Sequence, residues 1–452
     1  MTKDQKDLVK LVYRNFGDRP LEPGEQFYEP IYKANPNTSE PIERIQSKIE
    51  FAEGQSMQFF SGFRGAGKTT ELKRLQQSLE AKGFHVVFAN ALDYINPSAP
   101  IDITDLLPVL AGAFSDHFRA LTDGHSLIKE SFWTRFKALL TRTDVDMEEI
   151  SLKIGGEVGA EVKLALRNNP TFRQQVQKTL STHLGALRQE TTTFFEESVK
   201  AIRAREGDGI EIVFIFDSLE QVRGSLTNET EVINSVESLF SNHLDALKLP
   251  YLHLIYTVPP WLKFLLKNLQ VEILPSVQQW QNDPDRTPEP IGNGALWKTI
   301  ERRLNIASHG GSASVADQLF GLDWSSTANP AHRIVDNCGG HFRDLFLLVR
   351  EALVRTKDLP LSSAAIEEAV ASVRRNFLPL AIEDALWLYR IATTRHPSFQ
   401  SAADVGRLTR FLDSHLVLYF SDTEEWYDVH PLVRPEVERV VRLQAETKAT
   451  TT

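Results

Sequence analysis

The chain has 452 residues, of which 42% are hydrophobic and 24% charged, and its formal net charge is −10. That length corresponds to roughly two to four domains, and the composition is that of a globular chain able to bury a sizeable core. The negative balance excludes a chain-wide basic footprint for nucleic acid. The single cysteine, Cys338, excludes an intrachain disulfide framework and a cysteine-built zinc cluster.

The first residues are charged, with no apolar leader. The most apolar later window, 251–269, is broken by Pro259, Pro260 and Lys263. It reads as a buried strand and then a helix rather than a membrane span, and a reducing, cytoplasmic setting is expected.

Residues 1–55 form an N-terminal segment rich in proline and turn residues. It closes on a helix, PIERIQSKIEFAEG, with Asn37, Thr38 or Ser39 as candidate caps. Residues 57–61 suit a buried strand, and GFRGAGKTT follows at 62–70. Residues 69–82 have helical periodicity through Leu72, Leu75 and Leu79, and 84–92 read as the next strand. Strand, loop, helix and strand make a βαβ unit and so a parallel sheet.

The stretch 100–205 is long for one crossover and reads as an insertion. SLKIGGEVGAEVKLAL (151–166) alternates around a glycine pair, which predicts a β-hairpin, and 169–206 predict one long helix or two. In IEIVFIFDSLEQV, residues 210–216 suit a strand buried on both faces. A helix near 229–246 and strands at 252–258 and 271–275 follow. A turn-rich linker at 281–295 leads into sequence that is helical to about residue 375. The part from 376 to 445 has helices, then HLVLYFSDTEEWYDVH as two short strands around a polar turn, then another helix. That pattern reads as a winged helix, and 446–452 as a frayed tail.

Gly62-x4-Gly67-Lys68-Thr69 is a P-loop pattern. Gly62, Gly65 and Gly67 let the backbone turn tightly and bring its N–H groups, with those of Ala66 and Thr70, close to phosphate oxygens. Lys68 reaches the β- and γ-phosphates, and the Thr69 hydroxyl is a ligand for Mg²⁺. The partner feature is Asp217, a carboxylate at the end of a buried strand that suits the Mg²⁺ shell. Turnover also needs a group to activate water. Ser218 follows the aspartate directly, so Glu220 is the nearest candidate, a solvated loop residue being the plainer alternative.

Thr257 ends the next strand. It is read either as a contact to the γ-phosphate or attacking water, or as a local backbone partner. Arg343 stands in the first turn of a helix, where a cation is poorly matched to the dipole. An anionic ligand explains it, or else a pairing with Asp344 or Asp336. His430 beside the wing is, on chemistry alone, more in keeping with a structural histidine. Arg302 and Arg303 are candidates for an arginine finger, with a solvated helix face as the plainer reading.

Together these motifs resemble the AAA+/STAND group of P-loop ATPases, particularly its origin-recognition-ATPase-like branch. The resemblance implies an α/β fold: a P-loop parallel sheet flanked by helices over 56–280, with an insertion near 120–205. An all-α lid at 281–375 and a winged helix at 376–445 would follow. By position, Lys68 and Thr69 look like the Walker A pair, Asp217 like the Walker B aspartate, Thr257 like sensor 1 and Arg343 like sensor 2. Phe342 stands where the STAND lid motif has proline. DSLEQ is similar to a DGLDE-type motif, which favours Glu220 as the catalytic carboxylate. Val429-His430-Pro431 loosely resembles the Met-His-Asp motif, which would put His430 on the phosphate of bound ADP. Residues 28–42 fall where related ATPases build the adenine pocket.

The implied activity is that of an ATP-binding and hydrolysing switch or assembly ATPase using ATP/ADP and Mg²⁺. It would act with protein partners or by self-association, as in bacterial antiviral defence or signalling. The alternative is a DNA-directed AAA+ ATPase whose winged helix reads DNA. The basic stretch RIATTRHP (390–397) with Arg407 and Arg410 supports that alternative. The net charge and the acidic DTEE (422–425) oppose it.

Overall fold

A computed structural model describes residues 1–33, 40–121, 130–143, 145, 158–224, 227–306, 314–399, 402–421 and 424–451. Two compact units divide the chain. One holds Pro41–Ser61 and Leu72–Ile273; the other holds Met1–Glu40, Gly62–Glu71 and Leu274–Thr452.

The first unit is built on strands β1 (Ser56–Gly62), β2 (His85–Asn90), β3 (Ile212–Asp217), β4 (His253–Thr257) and β5 (Val271–Leu274). They form one sheet in the order β2-β3-β4-β1-β5. β1 pairs parallel with β4, β4 with β3, and β3 with β2. Every residue of β3 is buried, as expected for a central strand of a parallel sheet covered on both faces. The sequence expectation of an α/β parallel sheet holds. β4 separates β1 from β3, so Thr257 lies in the strand between those that lead to Gly62 and to Asp217.

The insertion is helical: Ile103–Leu121, Phe132–Arg142, Val158–Asn168, Pro170–Thr182 and Leu184–Glu206. The expected hairpin is therefore overturned over 158–166, where Val162 and Leu166, four residues apart, are buried on one helical face. The hairpin reading rests on alternation across the glycine pair of 151–166, and its second half is instead helical. The glycine pair, Gly155 and Gly156, lies outside the described residues, as do the candidate caps Asn37, Thr38 and Ser39. The 169–206 stretch is two helices, broken at His183.

Phe114 meets Phe195 at 5.1 Å and Phe214 of β3 at 5.3 Å, which joins the insertion to the sheet. Gly112 is required there: a Cβ would lie 2.1 Å from the Trp133 ring. Asp105 is buried and takes two bonds from Arg173, at 3.1 and 2.8 Å.

In the second unit, the N-terminal helix Lys3–Asn15 shares one core with the helices Pro290–Asn305, Val315–Phe320, Ala331–Asn337, Phe342–Arg355 and Ser363–Arg374. Phe16, just past the first of these, packs edge-on against Phe346 at 5.8 Å. The N-terminal segment is thus split: residues 1–40 belong with the helices after 274, and the helix Pro41–Glu50 with the sheet.

Beyond these come helices Ile382–Thr394 and Ala402–Asp413, the antiparallel pair β6 (Val417–Ser421) and β7 (Glu425–Val429), and the helix Arg434–Thr451. This last helix runs to Thr451 where a frayed tail from 446 was expected. Asp428 of β7 is wholly buried and is held by Trp280, Arg286, Arg395 and Arg434. Among the described residues no helix is long and apolar enough to cross a membrane.

Candidate functional site

The strand β1 delivers the chain into the loop at Gly62, and the helix Lys68–Ala81 receives it. Gly65 and Gly67 have φ of +89° and +95°, a region that side chains strongly disfavour. The loop closes on itself through Ala66 N–H to the Phe63 carbonyl at 3.1 Å. Lys68 is 6% exposed, and its ammonium donates to the carbonyls of Gly62 at 2.9 Å and Phe63 at 3.0 Å. A buried cation is thus aimed back over the loop, where a phosphate would compete for it.

Other segments of the same unit enclose the loop. The Tyr32 hydroxyl donates to the Ala66 carbonyl at 3.1 Å, and Tyr28 donates to Glu71 Oε1 at 3.2 Å. Leu21 N–H donates to the Thr70 hydroxyl at 3.0 Å. The start of the helix Phe342–Arg355 comes closest. A Cβ at Gly65 would stand 2.8 Å from Arg343 Cβ and 3.1 Å from its Nε, and one at Gly67 would touch the Phe342 ring at 4.0 Å. Arg343 therefore lies on the P-loop glycine itself. Its Nε donates to Asp18 Oδ2 at 2.5 Å, not to Asp344 or Asp336 as weighed from the sequence.

In the sheet unit, Asp217 is 1% exposed, and its Oδ1 accepts from the N–H of Ser218 at 2.7 Å. Ser218 has φ of +70°, an uncommon conformation for a non-glycine residue. The turn Leu219–Gln221 follows and buries Glu220. Glu220 is thus not a solvated loop carboxylate. The Thr257 hydroxyl accepts from Leu219 N–H at 3.0 Å. Asp217, Glu220 and Thr257 are thus tied together at the carboxyl ends of β3 and β4, the edge at which open parallel sheets bind ligands.

His430 is wholly buried. Its Nδ1 accepts from Leu432 N–H at 3.2 Å, so its proton rides on Nε2, which lies 3.3 Å from Asp344 Oδ2. Its ring stacks on Phe377 at 5.1 Å. His341 Nδ1 is 2.9 Å and His415 Nδ1 3.7 Å from the same carboxylate oxygen. Burial alone would raise the Asp344 carboxyl. The charge and hydrogen bond of His341, with His415 and His430, outweigh it and hold the group well below the usual carboxylate range. Burial first, then the charge of His341, pushes His415 down to about 3.

Arg303 corrects the solvated-face reading. It is 4% exposed, donates to the Asn15 carbonyl at 2.6 Å, and its guanidinium lies 4.1 Å from the centroid of the Phe346 ring. A delocalised cation over an aromatic face tolerates such burial. Arg302 pairs with Glu29 at 2.9 Å.

No protein-family model matches the chain, and no curated protein does. Solved structures do. The ORC2 protein of Aeropyrum pernix, in ADPNP-ADP complexes, is 11% identical with a TM-score of 0.39; the match covers 96% of this chain and 98% of that one. The Walker-type ATPase of Pyrococcus abyssi is 13% identical with a TM-score of 0.37, covering 95% and 99%. Cdc6p from Pyrobaculum aerophilum is 11% identical with a TM-score of 0.33, covering 89% and 93%. The chemistry argued below rests on this chain's own residues.

Two features escaped the sequence reading. Asp18 carries no motif and meets Arg343 only through the fold. Around Asp344, only the His341–Asp344 spacing of three along a helix start was legible. His415 and His430 come from the far end of the chain.

Proposed function

We propose that the chain is an ATP-binding and hydrolysing conformational switch. The observation that carries this reading is the placement of Arg343 on Gly65, over the loop that folds Lys68 inward. Two cations, three loop glycines and a helix N-terminus converge on a space suited to a polyphosphate. Lys68 and Arg343 bind and orient the phosphates, and the backbone of Gly62, Gly65, Ala66, Gly67 and Thr70 cradles them. Thr69 and Asp217 supply a hydroxyl and a carboxylate, the oxygen donors that Mg²⁺ prefers. When bound, Mg²⁺ neutralises charge on the phosphates. Glu220 accepts the proton of the attacking water, and Thr257 holds the turn that carries Glu220.

Arg343 is followed in the same first turn by Asp344, which meets His415 and His430, so γ-phosphate contact at Arg343 is a lever on the C-terminal helices and hairpin, which we read as a winged helix. His430 would then report nucleotide state through Asp344. The output goes to protein partners or a second copy, in a defence or signalling setting.

The test is nucleotide titration and phosphate release with the purified chain. Lys68→Ala should lose roughly 10–100-fold in ATP affinity, the worth of charge-assisted bonds. Glu220→Gln should keep binding and lose turnover. Unchanged affinity in Lys68→Ala would overturn the reading.

A further inference from the structure

Beyond the nucleotide site, a second cluster of ligating side chains lies in the unit that holds the helices after 274. His341 precedes the helix Phe342–Arg355, and Asp344 lies in its first turn. His415 sits just before β6 with φ of +60°. One ligand atom from each of the three falls within 4.8 Å of the others, and all three residues are buried. His341 and His415 each keep a buried Nε2 with no hydrogen-bond partner. His415 Nδ1, at 3.7 Å from Asp344 Oδ2, is too far for a hydrogen bond. Each Nε2 lies on the ring edge away from the Nδ1 that faces Asp344, so the candidate ligand atoms are the two Nδ1 nitrogens and the carboxylate oxygen.

We propose that His341, Asp344 and His415 form a binding site for one divalent transition-metal ion of the zinc class. Two imidazoles and a carboxylate are a donor set for such an ion rather than for Mg²⁺ or Ca²⁺, which take oxygen. The Asp344 oxygen stands 2.9 and 3.7 Å from the two imidazole nitrogens that face it. Those spacings bracket the separation of roughly 3.4 Å between neighbouring ligands at tetrahedral zinc bond lengths.

His430 plays a different part. Its Nδ1 is occupied by the Leu432 N–H, so it presents a protonated Nε2 toward Asp344. That is the outer-shell support a ligating carboxylate ordinarily has. A cavity of about 300 Å³ opens on Asp344 and His415, lined also by Ser414, Asn376 and Phe377. It provides an entry path and room for a fourth, exchangeable ligand. The P-loop is adjacent, since Phe63 meets the His415 ring edge-on at 6.1 Å.

The test uses the tag-free full chain, stripped with EDTA, in the absence of nucleotide and Mg²⁺. Cobalt(II) and then zinc are titrated and followed by visible absorption and metal analysis. One equivalent of cobalt(II) should bind with tetrahedral d–d bands, and zinc should displace it. Asp344→Asn and His415→Ala should each lower zinc affinity at least 100-fold, and His430→Phe by roughly 10–100-fold. Circular dichroism checks that the variants fold. Should His415→Ala unfold, the wild-type cobalt spectrum and the near-isosteric Asp344→Asn decide. Absence of saturable uptake by the wild type, or equal uptake by Asp344→Asn, would overturn the site.

Discussion

Arg343, which lies against Gly65 of the loop, is paired with Asp18. The pair is partly exposed, at 32% and 42%, so it contributes under about 1 kcal/mol to stability. In the proposed nucleotide-bound state its consequence is competition: Asp18 would hold the guanidinium that a phosphate would take. Asp18→Ala should leave the melting temperature nearly unchanged and tighten ATP binding a few-fold, whereas Arg343→Ala should weaken it about tenfold. Titration with a fluorescent ATP analogue separates the two. Weaker binding in Asp18→Ala would make Asp18 the residue that holds Arg343 in place, and the competition reading would fall. The arginine itself was legible from its misplacement at a helix start. Its partner was not, because 325 residues separate them.

At the scale of elements, the insertion meets the sheet at a half-buried histidine, His117. His117 on the helix Ile103–Leu121 meets His85 of β2 at 5.6 Å, edge-on, and His85 Nδ1 lies 2.9 Å from a Glu206 oxygen. Burial, reinforced by the charge of His85, pushes His117 down to about 4. Its unfolded value is about 6.5. Between these values the unfolded chain binds more protons, so the contribution is intact above pH ~6.5 and is lost as pH falls toward ~4. The loss amounts to at most about 3.5 kcal/mol. His117→Phe should flatten that limb of a melting-temperature profile, and an unchanged slope would assign the acid sensitivity elsewhere.

The elements themselves were largely readable. β3 announced itself by an unbroken apolar run, and the helix after the P-loop by leucines at helical spacing. The 158–168 helix was not, because the alternation read across 151–166 outweighed a spacing of four that shows only once burial is known.

For the whole molecule, charge weighs against DNA as a partner. The net charge is −10, and the described end of the β6–β7 turn presents Glu424 and Glu425, both exposed. Arg395, from the basic stretch that favoured DNA, is 8% exposed and committed to Asp428, and Arg407 is paired with Glu383 and Asp384. Duplex DNA should therefore bind more weakly than the ~10⁻⁴ to 10⁻⁶ M typical of non-specific binders at physiological salt, without stimulating ATP turnover. Tight, steeply salt-dependent binding that accelerates turnover would restore the DNA-directed alternative.

Sequence alone determined the P-loop string and the parallel sheet. A P-loop is a contiguous string whose residue types are each demanded by local backbone geometry, and a central strand must be apolar along its length. Tertiary structure alone decided which distant residues face that loop. It placed Arg343 on Gly65, set Asp18 against Arg343, buried Arg303 and gathered three histidines around Asp344. Such pairings cost chain entropy that only a folded core can offset. They leave no periodic trace in the chain that makes them.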